Sequence, residues 1–286
     1  MKTGLVLEGG ALRTIFSSGA CDALLDLGLT ADYVVGVSAG IAYGVSYLSG
    51  QKGRNLDILT TYANDRRYMG ARNLLDRHNR SYFGLKFAYE EIPNKLIPFD
   101  YDAFAAWPGE AEAVVTSLES GRADYLPVPR RDESFLLLQA TCAMPLLFPT
   151  FDLGDGPVLD GGVADAIPFR RALEKGCDRV TVILTRERGY HKKPEKLQRL
   201  IDLAYRRWPN FRAAMRSRAQ RYEAAREELF QLEREGRALI LEPADTQGFS
   251  RVERDVEKIR ALCREGYDAA MAKREELKAF LKSSAD

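Results

Sequence analysis

A serine between two glycines, directly after a short apolar segment, constrains the fold more than any other stretch of this chain. Residues 33–37 are mostly β-branched and apolar, as in a buried strand, and residues 41–48 have the composition of a helix. Gly36 and Gly40 flank Ser38 at two positions on either side, where they remove side chains that would collide with nearby backbone. The segment therefore predicts a strand, a sharp turn and a helix, with the Ser38 hydroxyl exposed at the turn.

The serine turn alone does not decide what the chain does. The pattern G-x-S-x-G also occurs by chance, and small residues between a strand and a helix are often plain packing. A catalytic role for Ser38 requires a base and oxyanion donors from elsewhere in the sequence.

Strand-like and helix-like segments alternate through the first half of the chain. Residues 2–8 predict a buried strand, and apolar or small residues recur at helical spacing over 15–27, with Gly28 at the expected helix end. This alternation predicts a parallel sheet with helices packed against it. Further segments continue the pattern: strands at 111–117, 123–126 and 179–185, helices at 194–235 and 252–282, and a strand-like run at 238–241.

Composition favours an ordinary globular protein of one or two domains, because 45% of the 286 residues are hydrophobic and 29% are charged. The apolar run at residues 5–7 is too short for a signal peptide, so we expect a cytoplasmic location. The four cysteines lie far apart, which favours neither a zinc site nor a disulfide framework. With only two histidines, His78 and His191, we expect no metal or other cofactor.

Basic residues concentrate in residues 186–226, which carry 13 Lys or Arg against 4 Asp or Glu, although the whole chain has a formal net charge of +1. Such a block attracts anionic phospholipid surfaces or nucleic acid. More often it is the solvated face of helices. We expect peripheral contact with an anionic membrane through this segment and no nucleic-acid partner.

The segment between the first strand and the first helix offers donors for an oxyanion. Gly9 and Gly10 allow a tight turn there, and the first amides of a helix have no partners inside it. Together with the Ala39 amide they predict an oxyanion hole. A phosphate-binding loop for a nucleotide is the alternative, but the glycines do not match a dinucleotide fingerprint and the P-loop lysine is absent.

A histidine-based triad is one hypothesis for activating the serine. Ser38, Asp160 and His191 follow the serine, acid, histidine order of α/β-hydrolases. However, only one strand precedes the serine strand here, whereas that fold has several. His78 and His191 also lie in highly charged stretches that are typical of exposed loops.

Asp160 is the better candidate for the base. It ends a short apolar run and precedes Gly161 and Gly162, which free the backbone at that point. A carboxylate can act as sole base when an apolar cleft raises its pKa towards neutrality, and residues 135–148 can supply apolar walls. An Asp-Gly pair is also a common turn, and Asp165 is a rival that more closely resembles a helix entry.

Three elements coincide in chain order: residues 8–13 (Glu-Gly-Gly-Ala-Leu-Arg), residues 36–40 (Gly-Val-Ser-Ala-Gly) and residues 160–162 (Asp-Gly-Gly). In this order the set resembles the bacterial branch of the patatin-like phospholipase family. The resemblance covers most of the chain, because three further stretches are similar to that branch: residues 66–70, 92–96 and 205–211.

The resemblance implies a three-layer α/β/α sandwich with a mostly parallel sheet, and a Ser-Asp dyad that hydrolyses lipid acyl esters through an acyl-enzyme. By motif position, Ser38 is the nucleophile and Asp160 the general base. The Gly10 and Ala11 amides would form the oxyanion hole, and Arg13 would contact a substrate phosphate or the local backbone. On this basis residues 1–185 are expected to form the catalytic α/β domain, and residues 186–286 a mainly helical extension packed on it.

Two departures from the family pattern leave alternatives open. The family usually has glycine where this chain has Ala11 and Thr14. Of the features that the resemblance implies, the oxyanion geometry is therefore the least secure. An acyltransferase using the same site is one alternative. A lipid-binding protein whose enzymatic site has decayed is the other.

Overall fold

A mixed sheet of eight strands lies between two helical layers in the computed structural model, which describes residues 1–283. A separate antiparallel pair joins β2 and β10. The strands are β1 (Thr3–Leu7), β2 (Leu29–Thr30), β3 (Tyr33–Val37), β4 (Glu110–Ser117), β5 (Ala123–Pro127), β6 (Phe151–Asp152), β7 (Pro157–Asp160), β8 (Arg179–Ile183), β9 (Ala238–Leu241) and β10 (Lys282–Ser283).

The helices flank this sheet and connect its strands. Three further helical segments are not α-helical: 3-10 segments at Ala11–Thr14 and Gly161–Val163, and a π-helical segment at Phe87–Leu96. The α-helices are α1 (Ile15–Asp26), α2 (Ala39–Leu48), α3 (Arg54–Tyr62), α4 (Arg72–Leu75), α5 (Tyr101–Ala106), α6 (Leu136–Thr141), α7 (Phe169–Glu174), α8 (Gln198–Ala204), α9 (Pro209–Arg234), α10 (Val256–Ala272) and α11 (Arg274–Phe280).

The sheet is mostly parallel, as the alternating pattern predicts. Its order is β6-β7-β4-β3-β1-β8-β9, in which the five strands from β4 to β9 run parallel, and β5 pairs antiparallel with β4. Buried side chains alternate between its two faces. Leu5 and Leu7 of β1 join the core that contains α1, α2 and α10, while Val6 joins the core that contains α7 and α9. The chain is therefore a three-layer α/β/α sandwich, and this fold-class prediction is confirmed.

The register of β4 brings the ends of β3 and β7 together. Val114 of β4 lies opposite Val37, and the next residue, Val115, lies opposite Asp160. Because β5 occupies the other edge of β4 over the same residues, β3 and β7 share one edge. Ser38, which follows Val37, is thereby placed beside Asp160.

The C-terminal segment differs from its prediction at two points. The helix predicted at 252–282 is present as α10, which begins at Val256, and α11, which is separated from it at Lys273. Residues 194–235 do not form a continuous helix, because α8 and α9 are separated at residues 205–208. The break follows from Pro209, which occupies the first position of α9 and leaves Trp208 before it at φ −118° and ψ 82°, outside the helical region. By contrast, the predicted strand at 238–241 is present as β9 and pairs in parallel with β8.

Candidate active site

Ser38 occupies a strained turn between β3 and α2. Its backbone has φ 55° and ψ −137°, a conformation that residues other than glycine seldom adopt. The amide of Ser38 donates to Thr141 Oγ1 at 2.9 Å, and the Thr141 hydroxyl donates to the carbonyl of Val114. Gly40 has to be glycine here, because a Cβ would lie 2.4 Å from the carbonyl oxygen of Leu7. The predicted strand, sharp turn and helix are therefore present.

Ser38 and Asp160 form a direct hydrogen bond. The Ser38 hydroxyl donates to Asp160 Oδ2 at 2.8 Å, and the amide of Gly162 donates to Asp160 Oδ1 at 2.7 Å. Thr116 Oγ1 donates to the Asp160 carbonyl oxygen at 2.9 Å and fixes the backbone behind the carboxylate. Both carboxylate oxygens are thus held by donors, one of which is the hydroxyl that a base would deprotonate.

The environment of Asp160 favours its protonated form. The residue is 5% exposed, and burial raises the pKa of its carboxyl above the ordinary value. The charge of Arg218 and the hydrogen bonds from Ser38 and Gly162 work against this rise without cancelling it. A carboxylate with a raised pKa binds a proton more readily, which is the property that a general base needs.

The residues predicted to supply oxyanion donors border the same cavities as the serine. A Cβ on Gly9 would lie 2.7 Å from the Val37 carbonyl oxygen, so the first glycine loop is pressed against the serine turn. Ala11 has φ 51°, the left-handed conformation for which glycine is better suited. Ala39 lines one cavity that borders Ser38, Gly10 lines another, and Ala11 lines both. Of the other motif glycines, Gly36 lies in β3 two residues before Ser38, and Gly161 and Gly162 begin the 3-10 segment that follows Asp160.

Glu8 anchors the glycine loop, a role that the sequence did not indicate. Its buried carboxylate accepts from the Thr185 amide at 2.6 Å, from the Thr185 hydroxyl at 3.1 Å and from the Tyr222 hydroxyl at 2.6 Å. These bonds attach the loop to the end of β8 and to α9. The apolar run before Glu8 is a weak sequence signal for this role, because it indicates that the carboxylate is buried. A buried carboxylate needs hydrogen-bond donors such as these.

An apolar cavity opens on the α2 side of Ser38. Arg54 is the one charged residue on the part of its wall that the structure describes, and it donates to the carbonyls of Ile97 and Pro98. Residues 135–148 are expected from the sequence to wall the cleft around Asp160. Several of them line this cavity, whereas Asp160 borders a second cavity together with residues 144–147. Representative wall residues are Val45, Ile58, Phe83, Phe135, Leu138 and Phe148.

A second cavity opens on the opposite side of Ser38 and is strongly charged. Asp160, Glu8 and Glu195 are its acidic residues. Its basic residues outnumber them and come from four separate segments: Arg13, Arg186, Lys192, Arg218 and Arg251. Arg13 is 6% exposed, burial lowers its pKa to about 10, and its Nε has no hydrogen-bond partner among residues 1–283.

The histidines lie apart from the serine turn. The His191 side chain is 88% exposed, and its Nδ1 lies 2.9 Å from Glu223 Oε2. His78 is also exposed. Asp165 accepts from the Tyr125 hydroxyl at 2.8 Å. Of the residues considered for the base, Asp160 alone has a hydrogen bond to Ser38 in the described part of the chain.

Among residues 1–283, no group of three or more His, Cys, Asp or Glu side chains is arranged to hold a metal ion. In that same part of the chain, no helix combines the length and the apolar character that crossing a bilayer requires.

Comparison with known proteins identifies two segments. A family model described as patatin-like phospholipase matches residues 5–173, and a second, described as a domain of unknown function (DUF6363), matches residues 208–282. The uncharacterized protein YjjU of Escherichia coli is 24% identical over 219 residues, which cover 70% of this chain and 56% of that protein. The chain thus spans little more than half the length of this curated relative.

A low-identity match is also found among solved structures. VipD from Legionella pneumophila is 15% identical, and the match covers 98% of this chain and 67% of that chain with a TM-score of 0.49.

Proposed function

The chain belongs to the patatin-like phospholipase family, and on this premise we propose that it is a serine hydrolase that cleaves acyl esters of lipids. The observation that carries the proposal is the 2.8 Å hydrogen bond from the Ser38 hydroxyl to the buried Asp160 carboxylate. The apolar cavity beside Ser38 supports a lipid substrate, because an acyl chain gains free energy when its methylenes leave water.

In the acylation step, Ser38 Oγ attacks the ester carbonyl carbon while its proton passes to Asp160 Oδ2. The negative charge that develops on the carbonyl oxygen is stabilised by the amides of Gly10, Ala11 and Ala39. When the tetrahedral intermediate collapses, the bond to the leaving alcohol breaks and the alcohol takes the proton from Asp160. The product of this step is an acyl ester on Ser38.

In the deacylation step, Asp160 removes a proton from a water molecule, which attacks the acyl carbon of the ester on Ser38. The same amides stabilise the second tetrahedral intermediate. Its collapse breaks the bond to Ser38 Oγ, which regains a proton from Asp160, and the fatty acid is released. One carboxylate therefore serves both halves of the reaction, and no histidine takes part.

A panel of neutral and phosphate-bearing acyl esters, incubated with purified protein, tests this proposal. We expect release of free fatty acid by the wild type and none by Ser38→Ala. Circular dichroism should show that both proteins are folded. Adding a labelled alcohol acceptor separates hydrolysis from acyl transfer. Full activity in Ser38→Ala, or label recovered mainly in the acceptor, would contradict a serine hydrolase.

We also propose that the basic segment 186–226 brings the protein to anionic membranes. Within it, α8 and the residue before it expose Leu197, Leu200 and Leu203, which are 54%, 49% and 65% exposed. Leu197 also borders the charged cavity, so this apolar surface lies beside the site. Exposed leucines next to basic residues are suited to the headgroup region of a bilayer.

Vesicle flotation tests the membrane proposal. We expect weak binding to vesicles that contain anionic lipid, loss of binding as salt is raised, and weaker binding by Leu200→Asp. Equal binding to neutral and anionic vesicles would contradict it.

We further propose that residues 1–185 form the catalytic domain and residues 186–286 an extension. The extension adds β9 to the sheet beside β8 and places α9 against the face that carries Val6. Its contribution of Lys192 and Arg218 to the charged cavity supports a role at the site as well.

A further inference from the structure

The glycine loop, residues 8–14, contains a strained residue. Ala11 has φ 51°, and a residue with a Cβ keeps such a conformation only where the surrounding contacts hold it. Within the loop, the Arg13 amide donates to the Gly10 carbonyl at 3.2 Å. The Gly10 amide donates to no acceptor among residues 1–283, which leaves it free to bind an oxyanion. Contacts from other parts of the chain therefore decide whether the loop keeps this conformation.

A tyrosine of α9 holds the first residue of the loop. The Tyr222 hydroxyl donates to Glu8 Oε1 at 2.6 Å, and both side chains are buried. Burial and the charge of Glu8 raise the pKa of the Tyr222 hydroxyl well above its ordinary value, so the hydroxyl keeps the proton that it donates. Glu8 Oε2 is bound separately by the amide and hydroxyl of Thr185. Tyr222 thus supplies the donor that Glu8 Oε1 needs in a buried position.

The segment that precedes α10 holds the middle of the loop. The carbonyl of Arg251 accepts from the Leu12 amide at 3.2 Å. Because the peptide unit between Ala11 and Leu12 is planar, this hydrogen bond also fixes the orientation of the Ala11 carbonyl. The strained residue is therefore held on its C-terminal side by a contact from outside the loop.

Helix α10 also packs closely against α1, the helix that follows the loop. A Cβ on Gly266 of α10 would lie 1.9 Å from the Phe16 carbonyl oxygen. A Cβ on Gly19 of α1 would lie 1.8 Å from the Cys263 carbonyl oxygen. Only glycine fits at these two positions, so the backbones of the two helices are in direct contact. Since α1 begins at Ile15, directly after the loop, this contact fixes where the loop ends.

Tyr222, Arg251 and Gly266 all belong to the matched domain of unknown function, residues 208–282. Resting on the proposed function, we propose that this domain holds the glycine loop in the conformation that catalysis requires, with Tyr222 as a positioning residue. Amides that are fixed before the reaction stabilise a developing oxyanion without reorganisation. Because the oxyanion exists only in the transition state and the intermediate, the domain acts on turnover and not on the affinity for the ester.

Tyr222→Phe tests the proposal, because it removes the hydroxyl and keeps the buried ring. We expect kcat to fall about tenfold for an ester that the wild type hydrolyses, with little change in KM. A trifluoromethyl ketone analogue of that ester forms a tetrahedral adduct with a serine nucleophile and places an oxyanion in the hole. Its affinity should fall by about the same factor, whereas the affinity of a non-reactive ether analogue should not change.

Tyr267→Phe is the matched control from the same domain. The Tyr267 hydroxyl donates to Asp26 Oδ2 at 2.7 Å, at the end of α1 that lies far from the loop. This variant loses the same type of hydrogen bond and keeps the contacts of the loop, so its kcat should match the wild type. Wild-type kcat in Tyr222→Phe, a loss that lies in KM alone, or an equal fall of kcat in Tyr267→Phe would overturn the proposal.

Hydrogen exchange separates this inference from the proposed function, because it requires no turnover. Mass spectrometry of the peptide that covers residues 8–14 should show faster amide exchange in Tyr222→Phe than in the wild type or in Tyr267→Phe. Unchanged exchange would overturn the positioning role alone, whichever esters the protein hydrolyses. Faster exchange in Tyr222→Phe, together with a wild type that hydrolyses no ester, would overturn the proposed function alone.

Discussion

The two cavities beside Ser38 are built from different parts of the chain. The apolar cavity is lined by residues from 11 to 148, all within the segment that matches the patatin-like phospholipase family. Four of the five basic residues of the charged cavity lie between 186 and 251, beyond that segment. This difference places the proposed nucleophile, its base and the apolar cavity in the first segment, and most of the positive charge beside Ser38 in the second.

The largest effect is expected at the point that the two cavities share. Asp160→Asn keeps an acceptor for the Gly162 amide but cannot take the Ser38 proton, so we expect a loss in kcat/KM of at least about a thousandfold for all esters. Assays of neutral and phosphate-bearing esters check this. His191→Ala is the control and should retain wild-type rates, because its ring lies on the surface against Glu223. A comparable loss in His191→Ala would restore the triad hypothesis.

A smaller effect is expected from narrowing the apolar cavity. Ala42 lines it on α2, and Ala42→Phe should exclude part of a long acyl chain. Each methylene kept in water costs about 0.8 kcal/mol, or about fourfold in kcat/KM. The ratio of long-chain to short-chain ester hydrolysis should therefore fall. An unchanged ratio would show that the acyl chain lies elsewhere.

The pH dependence of the reaction distinguishes Asp160 from an ordinary carboxylate. The base must be ionised, and burial raises its pKa, so activity should be lost as the pH falls through a value above 3.8, the usual value for aspartate. The measurement is kcat/KM against pH for a neutral ester, which avoids titration of the substrate. An acidic limb at or below 3.8 would contradict the raised pKa.

The smallest effect concerns Ala11. Its φ of 51° is strained for alanine, so Ala11→Gly should stabilise the fold by up to about 1 kcal/mol. The oxyanion amide is retained, and activity should be at least that of the wild type. Thermal denaturation measures the stability, and an ester assay measures the activity. A loss of stability would show that this conformation is not strained.

The sequence predicts those parts of the site that depend on local pattern. Ser38 and its turn follow from β-branched residues before a glycine-flanked serine, and the parallel sheet follows from alternating strands and helices. Asp160 was a candidate base from the apolar run before it and the two glycines after it, and the family resemblance supported it, but its contact with Ser38 arises from the register of β3 and β7 along β4. Those pairings join residues far apart in the chain, 77 positions for Val37 and Val114 and 45 positions for Val115 and Asp160, which local propensity does not encode.

The charged cavity shows the limit of prediction from sequence more sharply. The basic block at 186–226 is visible in the composition, yet only Arg186, Lys192 and Arg218 from it reach the site. Of the other ten basic residues, five lie in α8 or α9; two of these, Arg199 and Arg216, are exposed, and Arg226 is buried. Arg251 carries no sequence signal at all, since its position depends on the backbone bond to Leu12.

Labelling with a fluorophosphonate tests the central claim most directly, namely that Ser38 is a nucleophile activated by Asp160. Intact-mass and peptide analysis should find one adduct per chain, located on Ser38. It should be absent from Ser38→Ala and formed far more slowly in Asp160→Asn. Folded wild-type protein that fails to react, or an adduct that persists in Ser38→Ala, would contradict the claim.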